Sequence, residues 1–149
     1  SIPRCMSFSS DIKKFAEKGK IGYNDAVNNS LQRISRSIIF MTPVALVDGG
    51  RARGNWFASL SSYPTTASDS KAVNMSQVQA VTENAAGKVF YLTNNLPYIG
   101  KLEYGGYPNP SSGDKTINGF STQAPKGMVR ISIENFEQGL KESVSKLKP

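Results

Sequence analysis

Two arginines in a glycine-bounded turn are the best candidates in the sequence for polar recognition. Arg51 and Arg53 lie between Gly50 and Gly54. A guanidinium group binds carboxylates or phosphates through parallel hydrogen bonds. The turn therefore predicts recognition of an acidic protein surface or of a nucleic-acid backbone, and two solvated arginines are the alternative. Asp48 can pair with one of them, so the other is expected to need a partner outside the turn, either a carboxylate of a neighbouring subunit or a phosphate of DNA.

Aromatic residues supply a second kind of chemistry. Tyr98, Tyr104 and Tyr107 surround a pair of glycines, an arrangement compatible with base stacking on single-stranded nucleic acid. Lys101 is the one basic residue interleaved with them, which favours contact with protein instead. Trp56 is predicted to be a core residue and not a stacking platform, because it shares one face of a predicted strand with apolar neighbours.

The residue types that most enzymes need are missing or dispersed. The chain has no histidine, which removes the commonest general base and the commonest zinc ligand. Its one cysteine, Cys5, excludes an internal disulfide and a cysteine-based zinc site, and its 11 acidic residues form no calcium-loop or magnesium-site pattern. Residues 49–54 lack the lysine and the following helix of a phosphate-binding loop. We expect no catalytic, metal or cofactor site, and no enzyme.

The net charge of +7 raises the question of a polyanionic partner. Lysines and arginines are scattered in small groups along the chain, so a solvated basic surface and direct contact with DNA or acidic proteins both remain open. No apolar stretch approaches the roughly 20 residues of a membrane-spanning helix, and no secretory signal is legible at residues 1–10. We expect a protein that stays in the compartment where it is made.

The elements that position these residues are predicted from periodicity. Residues 1–9 are expected to be a flexible extension, and a helix is expected to start at Ser10-Asp11-Ile12. A long helix is predicted from Tyr23 to Met41 and stops at Thr42-Pro43. Its apolar stripe has the four- and three-residue steps of one helix face and consists of Val27, Leu31, Ile34 and Ile38.

The second half of the chain mixes short strands with helices. Residues 55–61 and 88–93 are predicted strands, and residues 76–86 a helix ended by Gly87. Glycine, proline and serine predict a long loop over about 105–123, which we expect to order on assembly. A last helix is predicted from its stripe, which consists of Val129, Ile133, Phe136, Leu140, Val144 and Leu147. Residues 10–149 thus form one α+β domain, with a small antiparallel or mixed sheet packed against a long N-terminal helix and a C-terminal helix.

Three ordered segments carry a resemblance to a known family. The segments TPV at 42–44 and DGGRARGNW at 48–56 resemble the TPVDTGRARGNW signature of the neck or tail-completion proteins of long-tailed bacteriophages. The segments NNLPY at 94–98 and LEYGG at 102–106 are similar to that family's second block, NNLPYxxxLEYGG. APKGMVR at 124–130 is similar to its third, APxGMVR, which leads into the last helix. Residues 45–47 are an insertion relative to the first signature.

The resemblance implies a structural virion protein, assembled in the host bacterial cytoplasm. Such a subunit forms a homo-oligomeric ring, expected to be hexameric, which completes the tail and joins it to the head. Its expected partners are other neck, connector, tail-terminator or tail-tube proteins and, transiently, the genomic DNA in the channel. A stand-alone basic nucleic-acid-binding module is the alternative function.

The candidate site residues follow from the resemblance and the local chemistry together. The candidates for the assembly interface or the DNA channel are Arg51, Arg53, Asp48, Glu103, Tyr104 and Tyr107. The motif residues expected to act structurally are Thr42, Pro43, Gly50, Gly54, Asn55, Trp56, Asn95, Pro97, Tyr98, Gly105, Gly106, Ala124, Pro125 and Gly127.

Overall fold

Helices and short strands alternate along the chain. The computed structural model describes residues 4–19, 21–44, 50–105, 116–117, 120–121 and 124–146. The elements in these ranges are α1 (Arg4–Gly19), α2 (Tyr23–Met41), β1 (Phe57–Ser59), α3 (Met75–Thr82), β2 (Tyr91–Thr93), α4 (Ile99–Tyr104), β3 (Thr116–Ile117), β4 (Phe120–Ser121) and α5 (Val129–Lys146). A 3-10 turn, Arg53–Asn55, precedes β1. The predicted α+β class, with a small antiparallel sheet packed against helices, is confirmed.

Helix α2 has the predicted bounds, Tyr23–Met41. It ends because Thr42 precedes a proline and adopts an extended conformation, with φ −70° and ψ 127°. The predicted apolar stripe is only partly right. Ile38 is buried and the other three positions are half-buried, while Ile39, outside the stripe, is completely buried. The helix is buried over a wider arc than the stripe indicated, because other elements cover it on two sides.

Helix α1 corrects the predicted start of the fold. It begins at Arg4 and not at Ser10, so residues 4–9 of the predicted flexible extension are helical. Residues 1–3 lie outside the described residues. No glycine or proline interrupts residues 4–18, and the packing of α1 against α2 and α5 stabilises a helix that local signals alone do not define.

The sheet of β1 and β2 is shorter than predicted but pairs as an antiparallel ladder. Phe57 lies opposite Thr93, and Ser59 lies opposite Tyr91. On the other edge of β1, the amide side chain of Gln77 from α3 replaces a neighbouring strand. Gln77 Nε2 donates to the carbonyl of Ala58 at 2.6 Å, and Gln77 Oε1 accepts from its amide at 3.1 Å. The helix thereby satisfies an edge that would otherwise be open.

Two hydrophobic clusters hold the elements together. The larger one joins α2, β1, α3, α4 and the start of α5, and its buried members are Ile38, Ile39, Ala52, Trp56, Ala58, Val78, Leu96, Leu102, Ala124 and Met128. The prediction that Trp56 is a core residue is confirmed. The smaller cluster lies between the three long helices and consists of Ile12, Ala16, Ala26 and Leu140.

In the C-terminal half, the structure differs from the predicted long loop and from the predicted apolar stripe of the last helix. The segment predicted as an uninterrupted loop, 105–123, contains the paired two-residue strands β3 and β4, and most of the rest lies outside the described residues. Helix α5 begins at Val129 as expected. Its stripe is not uniformly buried, since Leu140 is buried, Phe136 is half-buried and Ile133 is 38% exposed. The helix turns Ser132 to α2 instead, where Ser37 Oγ donates to Ser132 Oγ at 2.9 Å.

No helix in the described part of the chain combines the length and apolar character that crossing a bilayer requires.

Candidate functional site

The two arginines of the glycine-bounded turn are bound within their own chain. Arg51 Nε donates to the carbonyl of Ser68 at 3.0 Å, and its Nη2 lies 3.3 Å from Asp69 Oδ1. Arg53 Nε and Nη2 each donate at 3.1 Å, to the carbonyls of Thr42 and Phe40. Both arginines thus have partners outside the turn but within the same chain, so their hydrogen bonding does not by itself require an acidic residue of a neighbouring subunit. Arg51 anchors the loop that follows β1, and Arg53 caps the last carbonyls of α2.

This arrangement changes the expected effect of removing the arginines. We expect the Arg51→Ala/Arg53→Ala double variant to lose about 2 kcal/mol of unfolding free energy, because hydrogen bonds from half-buried charged groups are lost. Urea unfolding followed by tryptophan fluorescence measures the loss. The control is Lys71→Ala/Lys88→Ala, two exposed cationic residues for which we expect a change within about 0.5 kcal/mol. Equal stability of both double variants would contradict the structural role.

The first motif block is a hydrogen-bonded corner at the end of α2. Trp56 Nε1 donates to Thr42 Oγ1 at 2.9 Å, and that hydroxyl donates to the carbonyl of Ile38 at 2.7 Å. Thr42 and Pro43 are both buried. A buried indole N–H needs an acceptor, and Thr42 supplies it from 14 residues away in sequence.

Asn55 and Gly54 bind the same corner to the loop after β1. Asn55 is completely buried, its Nδ2 donates to the carbonyls of Arg51 and Ser68, and its Oδ1 accepts from the amide of Ser68 at 2.7 Å. Gly54 permits this packing, since a Cβ there would lie 2.6 Å from the carbonyl oxygen of Ser70. The two motif residues therefore act structurally by fixing a loop.

The second motif block is tied to the first through Asn94 and to the loop after β1 through Asn95. Asn94 Nδ2 donates to the carbonyl of Ala52 at 2.8 Å, and its Oδ1 accepts from the amide of Leu96 at 3.2 Å. Asn95 Nδ2 donates to the carbonyl of Pro64 at 2.6 Å. Sequence reading marked Asn95 as structural but missed Asn94, whose partner lies 42 residues away and leaves no local signal.

The carboxylate of Glu103 accepts four hydrogen bonds from the start of α5 and the residue before it. Glu103 is 6% exposed. Glu103 Oε2 accepts from the amides of Met128 at 2.7 Å and Val129 at 2.8 Å, and Oε1 accepts from the amide and the Nε of Arg130, both at 3.0 Å. The Nη2 of Arg130 also donates to the carbonyl of Glu103. We call this set of contacts the Glu103 clamp. It places a carboxylate at the positive end of α5 and satisfies amides that no helical carbonyl can reach.

The pKa of Glu103 is lowered below its ordinary value. Burial by itself raises the pKa, but the hydrogen bonds from the amides of Met128, Arg130 and Val129 and from the Arg130 side chain outweigh it. A lowered pKa means that the ionised carboxylate stabilises the folded state. This stability is fully present above the unfolded pKa of about 4.3 and is lost as the pH falls through the lower folded pKa.

A pH series tests this linkage. We expect the difference in unfolding free energy between wild type and Glu103→Gln to be constant from pH 7 to about pH 5 and to shrink below about pH 4. Urea titrations of both proteins at each pH provide the measurement, and Glu142→Gln, an exposed position on α5, is the control. A difference that stays the same down to pH 2 would show that ionisation of Glu103 contributes nothing.

Gly127 is required by the close approach of the clamp. It has φ +79°, and a Cβ would lie 2.5 Å from the carbonyl oxygen and 2.8 Å from Oε2 of Glu103. The neighbouring Ala124 is 2% exposed and belongs to the larger cluster, whereas Pro125 is exposed. The second and third motif blocks are thus one structural unit, in which Glu103 and Gly127 are complementary.

The remaining predicted residues have diverse positions. Tyr104 is 70% exposed, and the guanidinium of Arg130 lies 4.8 Å from its ring centroid. Tyr98 is half-buried against the larger cluster, while Pro97 is exposed. Gly50 and Gly105 have positive φ. Three predicted site residues lie outside the described residues: Asp48, Gly106 and Tyr107.

Sequence reading missed an exposed surface on α2. The ring of Phe40 is 45% exposed and lies beneath two guanidiniums, that of Arg36 at 5.4 Å and that of Arg53 at 5.7 Å from its centroid. Arg33 lines the same depression. We call Arg33, Arg36, Phe40 and Arg53 the arginine–phenylalanine patch. The spacing of Arg33, Arg36 and Phe40 by three and four residues was a signal for a common helix face.

A second surface feature is an apolar groove between α2, α5 and the sheet of β1 and β2. Its volume is about 530 Å³, and its lining includes Leu31 and Ile34 from α2, Leu92 from β2 and Ile133 from α5. Glu137, which is half-buried, also lines it. We call it the apolar groove. The groove leaves part of this apolar lining, together with the Glu137 side chain, open to solvent.

The described residues contain no group of three or more cysteine, aspartate or glutamate residues able to hold a metal ion. Searches against models of protein families, characterised proteins and solved structures find no match to this chain. The arrangement offers surfaces for binding, namely a basic aromatic patch and an apolar groove.

Proposed function

We propose that the chain is a structural virion protein, a subunit of an oligomeric ring in the neck of a long-tailed bacteriophage that completes the tail and joins it to the head. It is assembled in the host cytoplasm with further copies of itself and with connector and tail proteins around it. The DNA passes through the channel of which the ring forms a part. The protein acts by binding and not as an enzyme.

The observation that carries the proposal is the connection between the motif blocks. Asn94 of the second block is bonded to the turn of the first, and Glu103 of the second is bonded to the amides of the third. Segments that resemble one family in the same order therefore also hold one another in space. Chance similarity of three short segments does not require such mutual contacts, so they support reading the resemblance as one unit.

The surfaces fit subunits arranged in a ring. Head-to-tail contacts in a ring need two different patches on each subunit, because each copy meets one neighbour with one surface and the other neighbour with another. The arginine–phenylalanine patch and the apolar groove are two unlike surfaces of this kind.

Complementation of a phage defective in this gene tests the proposal. Without the protein we expect lysates with filled heads and separate tails, and the purified protein added to such a lysate should raise the titre of joined particles at least tenfold. A Lys88→Ala protein, altered at an exposed residue away from both surfaces, is the control and should act like wild type. Normal numbers of joined particles without the protein would overturn the proposal.

The second candidate, a stand-alone nucleic-acid-binding module, is favoured by the net charge of +7 and the exposed arginines 33 and 36. It predicts tight binding of a short DNA duplex that weakens steeply between 50 and 200 mM salt, on the order of 10³-fold for about six phosphate contacts. Fluorescence anisotropy with a labelled duplex measures this. Binding that is weak at both salt concentrations rules this candidate out.

A further inference from the structure

Phe40 is a large apolar side chain that the fold exposes in a fixed position. It lies in the last turn of α2, and its own carbonyl accepts a hydrogen bond from Arg53. The guanidiniums of Arg36 and Arg53 lie near its ring. An exposed aromatic ring flanked by arginines has the composition of an interface hot spot.

The apolar groove lies on the opposite side of the same helix. At about 100° per residue, the mean direction of Leu31, Ile34 and Ile38 differs from that of Arg33, Arg36 and Phe40 by about 160°. A projecting group and a receiving groove on opposite sides let each copy contact two neighbours. Repeated head to tail, such contacts produce a closed ring or a filament.

The groove has room for an aromatic ring. Its volume is about 530 Å³, whereas an apolar cavity of about 150 Å³ already accommodates benzene. Its walls include Ile133, which is 38% exposed in the single chain. A ring inserted here would bury apolar surface on both partners, which is favourable.

Charges on the two surfaces are complementary. Glu137 lines the groove and is half-buried, yet among the described residues no cation forms an ion pair with it, and Lys141 does not despite its i,i+4 position. Arg33 and Arg36 likewise have no carboxylate partner within the described ranges. A half-buried carboxylate beside apolar groups is stabilised by a guanidinium that donates hydrogen bonds to it.

We propose that the apolar groove receives Phe40 from a second copy of this chain, with Arg36 of that copy donating to Glu137. The inference rests on the proposed ring function and names the contact between neighbouring subunits. The arginine–phenylalanine patch of each copy faces the groove of the next.

A charge exchange tests this contact. Sedimentation velocity over a concentration series measures self-association of the wild type and of each variant, and circular dichroism verifies folding. We expect Phe40→Ala, Arg36→Glu and Glu137→Arg each to weaken association at least tenfold. The double variant Arg36→Glu/Glu137→Arg should return to within about threefold of wild type. Tyr63→Ala is the matched control, since Tyr63 is also an exposed aromatic residue, at 56%, but lies outside both surfaces.

The possible results are decisive and separate from the complementation test. A wild type that stays monomeric throughout, a Phe40→Ala protein that associates like wild type, or a double variant that stays as weak as the single ones would each overturn the contact. Loss of DNA binding with unchanged self-association in Phe40→Ala would assign the patch to nucleic acid instead. The proposed function still stands if purified protein joins heads and tails while these variants show no effect.

Discussion

Replacement of Glu103 by alanine should remove about 3–5 kcal/mol of the unfolding free energy, a large part of the 5–15 kcal/mol typical of a domain. The reason is the asymmetry between making and breaking buried polar contacts. The variant leaves the amides of Met128, Val129 and Arg130 without the carboxylate that they share. Met128 is completely buried, so water cannot reach its amide readily. Urea unfolding monitored by Trp56 fluorescence measures the loss.

Glu142→Ala is the control for Glu103→Ala, because Glu142 is an exposed glutamate of α5 whose contact is with the side chain of Gln138. We expect it to change stability by less than about 0.5 kcal/mol. Glu103→Gln should fall between the two, since it keeps the shape of the side chain and one oxygen acceptor but loses the charge. A Glu103→Ala protein with the unfolding midpoint of the control would refute the clamp.

Gly127→Ala should destabilise the protein by about 3 kcal/mol, through two separate effects. A residue with a Cβ that is held at positive φ lowers the unfolding free energy by about 1–2 kcal/mol. The Cβ would in addition lie 2.5 Å from the carbonyl oxygen and 2.8 Å from Oε2 of Glu103, so the clamp must move. Forced packing of this kind typically costs about 1–3 kcal/mol. Thermal and urea unfolding of the purified variant measure the sum.

Gly87→Ala separates the two effects. Gly87 also has φ +79°, but a Cβ there would meet nothing within 4 Å. We expect Gly87→Ala to lower the unfolding free energy only by the cost of placing a Cβ at positive φ, about 1–2 kcal/mol. The difference between the two variants then reports the close approach to Glu103. If both variants are equally stable, the close approach has no energetic consequence.

Local sequence signals were sufficient for α2 and for Trp56. The end of α2 is determined by the residue pair Thr42-Pro43, a restriction that acts within one peptide unit. The burial of Trp56 follows from its place beside a strand whose alternate residue, Ala58, is buried. In both cases the physical cause lies within a few residues of its effect, so the sequence displays it.

The start of α1 had a cause that is distant in sequence. Ser10 and Asp11 looked like a helix start because both residue types favour that position. The helix instead begins at Arg4 and packs along α2 and α5. Packing against α5, which is more than 100 residues away in sequence, is not visible in a local pattern, and tertiary packing of this kind overrides capping preferences.

The candidate site likewise contains features that local sequence signals indicated and features that they did not. The motif resemblance selected Arg53 and Glu103, but not what they bind. Arg53 donates to backbone carbonyls 11 and 13 residues away, and Glu103 accepts from amides 25 to 27 residues away. Every residue has a carbonyl and, proline excepted, an amide, so a partnership with the backbone leaves no mark in the residue types. The spacing of Arg33, Arg36 and Phe40 indicated a common helix face, but the approach of Arg53 to Phe40 from 13 residues away is not visible in that spacing.

The Glu103 clamp also has a consequence for how the chain can diverge in length. The backbone leaves the clamp at Glu103 and returns to it at Met128, 25 positions later, so the intervening excursion begins and ends at one fixed point. Doubling the length of such an excursion changes its closure entropy by only about 0.6 kcal/mol. Closure entropy therefore opposes an insertion between Gly105 and Ala124 only weakly, and we expect the anchoring carboxylate to preserve the contact between α4 and the start of α5.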